Sequence, residues 1–199
     1  MPLQIHDAGS GNVINISAGM KAKMGGQLVL TGNNNRVAIA DSEFPVTVEI
    51  TIGNDSSLEI GPNLHCQYLL VFMQRNARLS VGQSVGVNGV IRLLMHEPSE
   101  MTIGNGCLFA DQIDITTSDM HSIVDVATNA RINPAKSIHI ADRVWVGQRA
   151  LILKGAKIGE GAVIGAASVV TQEIPANCVA AGAPAQVVRQ NATWNFELL

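Results

Sequence analysis

The chain has 199 residues and a formal net charge of −3, with no basic run. It fits one domain with a real core and gives no electrostatic case for nucleic acid or an anionic membrane as partner. Hydrophobic residues make up 47% and aromatics only 4%, so Ile, Val, Leu and Ala must build the interior; 19 glycines without a collagen period indicate many tight turns. No signal-peptide pattern opens the chain, no apolar run reaches the about 20 residues of a transmembrane helix, and the three cysteines share no CxxC spacing, so a cytoplasmic location with buried thiols is expected.

In chain order, INIS followed by LVLTGNNNRVAI starts a stack of strands, with a Gly/Asn turn at 32–35. FPVTVEI at 44–50 and QYLLVFM at 67–73 read as strands. RVAIAD, SLEIGP, RLSVGQ and EMTIGN place Ile39, Ile60, Val81 and Ile103 at intervals of 21, 21 and 22. The interval then becomes six, through Phe109 and Ile115, breaks, and resumes at Ile140, Val146, Ile152, Ile158, Ile164 and Val170. The residues of the resumed run divide into hexads with small fifth positions: Val144, Ala150, Ala156, Ala162 and Ser168. A helix wants period 3.6 and a simple sheet period two. Period six predicts short strands joined by sharp bends, three to a coil, each with one aliphatic side chain inward and coils stacked in parallel. The predicted architecture is an all-β solenoid of about eight coils, with regular coils at 140–157 and 158–175. Residues 1–186 form the solenoid, residues 119–137 a protruding loop, and residues 187–199 a tail packing Trp194 and Phe196 over the last coil. Gly182 and Pro184 suit a closing turn.

The [Ile/Val]-Gly-x-x-small-x hexads resemble those of the hexapeptide-repeat acyltransferases, which implies a left-handed parallel β-helix. NVINIS, GNNNRVAI, SDMHSI, RINPAKSIHIADRVWVGQRALILKG and NCVAAGAPAQVV together resemble the O-acetyltransferases of bacterial capsular polysaccharides, those acting on polysialic acid among them. The resemblance implies acetyl-CoA as co-substrate, a carbohydrate acceptor and a homotrimer with the coenzyme lying between neighbouring subunits. A small-sugar or other small acceptor, or a silent scaffold, is the alternative.

A smooth solenoid side makes a poor active site, whereas the insertion can form one wall of a cleft. It holds His121, whose ordinary value of about 6.5 leaves neutral imidazole available as a base. The group orienting the ring is open between Asp119, another carboxylate and a backbone carbonyl. Trp145, in VWVGQ, is open between an outward ring packing on the imidazole or the pantetheine arm and a plug between coils. The resemblance makes His121 the base and places Trp145 at the active site. Gln148 stands where small-sugar acetyltransferases carry Ser, which puts a hydroxyl role in doubt and leaves its N–H to polarise the thioester carbonyl. By the same resemblance Ala166 and Thr171 contact the coenzyme, and Arg189 lies near its phosphates. Gln186 replaces an arginine whose place Lys154 or Lys157 fills if neither is a solvated outer-face charge. Asn88, in VGVNGVI, is open between an acceptor contact and a turn former. The five histidines show no HxxxxH spacing, so no metal is expected, and no cysteine stands near His121 to act as nucleophile.

Overall fold

A chain of L-residues turns a sharp corner most readily by placing one residue in the left-handed region, and here such residues recur at the same point of successive coils. One column comprises Asn63, Ser84, Gly106, Arg143, Gly161 and Asn177, another Asn34, Asp55 and Asn76. Each donates its N–H to a carbonyl of the coil before, as in Arg143 to Asn105 (2.8 Å) and Gly161 to Asp142 (3.0 Å). The corners are therefore bonded as continuously as the strands between them. Several are Asn, which tolerates this backbone better than other non-glycine residues.

The result, described over residues 2–199 by a computed structural model, is a three-faced parallel β-helix. The third face is an eight-stranded sheet from Val13–Ile16 to Glu173–Ile174, so the helix has eight coils. The first and second faces are joined in the early coils by long strands, Met24–Leu30, Val46–Asn54, His65–Arg75 and Gly86–Met95, which turn their corner unbroken. From Leu108 the path divides: Leu108–Phe109, Trp145–Val146 and Val163–Ile164 on the first face, Ile113–Thr116, Leu151–Leu153 and Val169–Val170 on the second. Among the described residues no helix is long and apolar enough to cross a membrane.

The six-residue beat is the inward ladder. Ile39, Ile60, Val81, Ile103, Ile140 and Ile158 are successive rungs of the third face. Phe109, Val146 and Ile164 stack on the first face, and Ile115, Ile152 and Val170 on the second. Val144, Ala150, Ala156, Ala162 and Ser168 are all buried at the corners, where a larger side chain would force the coils apart. Phe109 is fully buried on its rung. Phe109→Ala is expected to cost about 3–5 kcal/mol, read from the urea midpoint.

Three features depart from the sequence reading: the last coil, an added helix, and a tail that does not pack over the last coil. The coil expected at 158–175 closes early, because Ile158 pairs with Ile174 only four residues after Val170. Val169–Val170 ends the second face, so no further strand holds the chain to the full path there. Six residues, Ala18–Lys23, form a helix capped by the Ser17 hydroxyl, which accepts from the Met20 N–H; the helix tucks Met20 into the core. The closing turn carries Gly182 at φ 101°, and Gln186–Gln190 then runs antiparallel to Cys178–Ala181. The tail continues back along the first corner column. Ala192 N–H donates to the Asn177 carbonyl (2.9 Å), Thr193 Oγ1 to Gly161 (2.9 Å) and Trp194 Nε1 to Arg143 (2.6 Å). Trp194 thus lies beside earlier coils, two turns back from the final strand.

Candidate active site

The interruption leaves the solenoid where the second face passes to the third. Ile103 pairs with Ile140, an interval of 37 residues, of which 18 make a coil and 19 are the insertion. Within it the chain doubles back. Ile132 N–H donates to the Ile123 carbonyl (2.8 Å) and Asp125 N–H to Ala130 (2.9 Å), while the Asp125 carboxylate caps the tip through the N–H of Thr128 (2.8 Å). Asn133, only 7% exposed, holds the base of this small hairpin. Its Nδ2 donates to the His121 carbonyl (2.8 Å) and to Asp119 Oδ2 (2.8 Å), and its Oδ1 accepts from the N–H of Ile123 (2.6 Å) and from Arg131 Nε (3.2 Å). One buried amide therefore ties together the His121 carbonyl, the Ile123 N–H and the Asp119 side chain.

Neighbouring coils clamp the hairpin from both directions. Glu97, on the coil before, accepts two bonds from Arg131 (2.6 and 2.7 Å) and one from the Ser118 hydroxyl. Lys154, on the coil after, pairs with Asp119 and donates to the Asn133 carbonyl (3.1 Å). Lys154 is thus engaged with the hairpin and is not a solvated outer-face charge. The Asp119 carboxyl lies below its ordinary value, through Lys154 first and Asn133 second.

The Arg131 guanidinium, then the Ser118 hydroxyl, hold the Glu97 carboxyl at about 2. That folded value lies below the ordinary one of about 4.3, so the clamp contributes fully above the ordinary value and is lost as pH falls through the folded one. NMR signals of Ser118 and Arg131 are expected to move toward those of a released loop between about pH 4 and pH 2, with Glu97→Gln removing that transition.

His121 is exposed at the neck of the hairpin, after Met120 in the left-handed region at φ 65°. Its ring has no hydrogen-bond partner among the described residues. Asp119, one of the expected orienting groups, turns its carboxylate to Lys154 and Asn133 instead. The imidazole lone pair is consequently available to an incoming group.

The other candidates lie elsewhere. Trp145, 40% exposed, stands on the first face with its ring centroid 6.3 Å from that of Trp194. His121 emerges between the second and third faces, and among the described residues no hydrogen bond or ring contact links it to Trp145. Gln148 and Ala166 are consecutive positions at the corner joining the first and second faces. Gly147 permits their close stacking, since a Cβ there would sit 2.6 Å from the Ala166 nitrogen. Gly147 and Arg149 N–H groups bond to Ile164 and Asp111, and Ala167 N–H to Gln148 O. The N–H groups of Gln148 and Ala166 have no acceptor among the described residues and are free for a ligand. Asn88 belongs to the same corner three coils earlier than Ala166, inside the strand Gly86–Met95; it is not a turn former. Thr171 is exposed past the end of the second face, and Arg189 is exposed opposite Val179 on the outermost strand. All three cysteines are free and buried, burial pushing Cys66 up to about 12 and Cys107 to about 11, which leaves no ready thiolate nucleophile.

Glu97 is the residue of this arrangement that reading the sequence missed, and Asn133 was placed in the insertion without a role. Asn133 lies in RINPAKS and was visible as a loop residue, but Glu97 is 34 residues from Arg131, and no spacing announces that pair.

Comparison with known proteins bears on this arrangement. Residues 137–172 match the family described as bacterial transferase hexapeptide (six repeats). The polysialic acid O-acetyltransferase of Neisseria meningitidis is 32% identical over 150 residues, covering 75% of this chain and 69% of that protein. The polysialic acid O-acetyltransferase of Escherichia coli O1:K1 / APEC is 44% identical over 94 residues, 47% of this chain but only 31% of that longer protein. The crystallographic structure of the polysialic acid O-acetyltransferase OatWY superposes with a TM-score of 0.73 at 25% identity, covering 98% of this chain and 93% of that one. With that coverage and the repeat ladder in hand, the chain belongs to the hexapeptide-repeat acetyltransferases.

Proposed function

We propose that the protein is an acetyl-CoA-dependent O-acetyltransferase acting on a sugar hydroxyl of a surface polysaccharide or its precursor. The observation that carries this reading is the exposed His121 imidazole, free of partners, on a hairpin clamped by both adjacent coils. A mobile histidine needs no such scaffolding, whereas a base aligned with a thioester does. Names of the relatives support a polysaccharide acceptor and acetyl transfer.

In the proposed reaction neutral His121 takes the acceptor hydroxyl proton as the oxygen attacks the acetyl carbonyl carbon. The carbonyl oxygen gains negative charge and accepts the Gln148 N–H. The tetrahedral adduct collapses, the carbon–sulfur bond breaks, and the imidazolium returns its proton to the coenzyme A sulfur. No acyl-enzyme forms. The free N–H of Ala166 supports a place for the pantetheine arm beside Gln148, with Thr171 and Arg189 further along toward the phosphates. Because His121 and Trp145 stand on different faces, the reading places the hairpin of one subunit over the first face of another in a homotrimer, where Trp145 and Gln148 flank the thioester.

An acceptor panel read by thiol release tests the assignment: acetylation of sialic acid polymers is expected. Exclusive turnover of small thiogalactosides or amino sugars would shift it to a small-acceptor enzyme. A catalytically silent scaffold predicts no thermal response to acetyl-CoA, whereas a binder at 100 times its Kd gains about 2.7 kcal/mol.

A further inference from the structure

The C-terminal tail follows the corner column where the third face meets the first, fixed at Asn177, Gly161 and Arg143, and ends beside the earlier coils. Beyond its end the same corner is open. A groove of about 620 Å³ begins at Phe196 and continues past Ser84 and Asn63, the left-handed residues of that column beyond Gly106. Its walls carry Phe44, His65 and Asn88. In a chain with only 4% aromatic residues, Phe44 is 41% exposed and Phe196 75% exposed here. Phe44 lies stacked on His65 with ring centroids 4.4 Å apart at 29°, and Phe196 meets Trp194 edge-on at 4.7 Å. Leu108, at one side of the groove, is the rung partner of Trp145, so the groove leads to the Trp145 end of the first face.

Exposed aromatic faces cost free energy in water and are offset when an apolar ligand face covers them. The C–H face of a pyranose is such a surface, and its equatorial hydroxyls need neutral donors and acceptors of the kind Asn63, Ser84 and Asn88 supply. We propose that this groove is a glycan subsite. One pyranose of the acceptor stacks on the Phe44–His65 pair, and the chain runs along the corner past Phe196 toward Trp145. The identity of the glycan as acceptor rests on the acetyltransferase reading; glycan binding itself does not.

The test is a binding titration of the full chain with a sialic acid oligomer and, separately, a neutral maltooligosaccharide. It is followed by saturation-transfer NMR and by tryptophan fluorescence, since Trp194 touches Phe196. Phe44→Ala and Phe196→Ala change exposed rings, so folding should persist, checked by thermal melting. Each is expected to weaken the Kd for the oligomer roughly tenfold or more, with Phe44→Tyr restoring it. In turnover the acceptor KM rises while the acetyl-CoA KM holds. A Kd within about twofold of wild type in both alanine variants, or no binding of either oligomer by the wild type, overturns the subsite. Binding that depends on these rings in a protein that acetylates nothing would keep the subsite and remove the acetyltransferase reading. Acetylation indifferent to both rings would do the reverse.

Discussion

His121→Ala is expected to lower turnover by about 10²–10⁴-fold, the usual contribution of a positioned general base, while acetyl-CoA binding is retained. The ring makes no hydrogen bond among the described residues, and the hairpin is held through the backbone of His121, not its side chain. The substitution therefore removes the base without loosening the loop, and the melting temperature should stay near that of wild type. Thiol release from acetyl-CoA measures the loss, and calorimetric titration with coenzyme A checks the retained affinity. Undiminished turnover would remove the imidazole from the chemistry.

Asn133→Ala carries the second large effect. Its amide makes four hydrogen bonds, to the His121 carbonyl, Asp119, the Ile123 N–H and Arg131, from a buried position. Truncation removes all four bonds at once and frees the segment that carries the imidazole. A displacement of about 1 Å at a reacting group costs on the order of 10²-fold, so kcat is expected to fall by that order. The acetyl-CoA KM should hold, because Gln148 and Ala166 lie on a different corner. Hydrogen exchange of residues 119–123 should quicken in step, which separates mispositioning from general unfolding. Asn133→Asp should fare no better, since it replaces the donor facing Asp119 with a second carboxylate. Wild-type kcat with slow exchange in the alanine variant would contradict the positioning role.

Much of the architecture was legible because a three-sided coil demands one inward aliphatic per strand and a small residue per corner. Ile103, Phe109 and Ile115 set the phase, and Ile140 through Val170 resumed it after an insertion whose length could be counted. The shortened last coil was hidden, since VTQEIP keeps hexad composition while Ile174 takes the rung two residues early. The Ala18–Lys23 helix is too short for a 3.6-residue period to register.

The site was legible in its parts more than in its assembly. His121 was singled out by the broken rhythm and the SDMH resemblance, and Gln148 by resemblance alone. The clamps were not legible, because Glu97 and Lys154 meet the hairpin across 34 and 35 residues and across coils. Resemblance put both Trp145 and His121 at the active site. Counting faces separates them, one lying just past the second-face strand Ile113–Thr116 and the other on the first-face strand Trp145–Val146. A single chain thus carries the two candidate residues on different sides, and the proposed site draws them from different copies.

Subunit complementation tests that division most directly. His121→Ala and Trp145→Ala chains, each inactive alone, are co-expressed, and mixed oligomers are purified by two different tags and assayed for thiol release. If the hairpin of one copy serves the first face of another, each mixed trimer has one intact site in three, so activity returns to about a third of wild type. If both residues act within one chain, every site in the mixture lacks one of them, and the mixed oligomers stay as inactive as their parents.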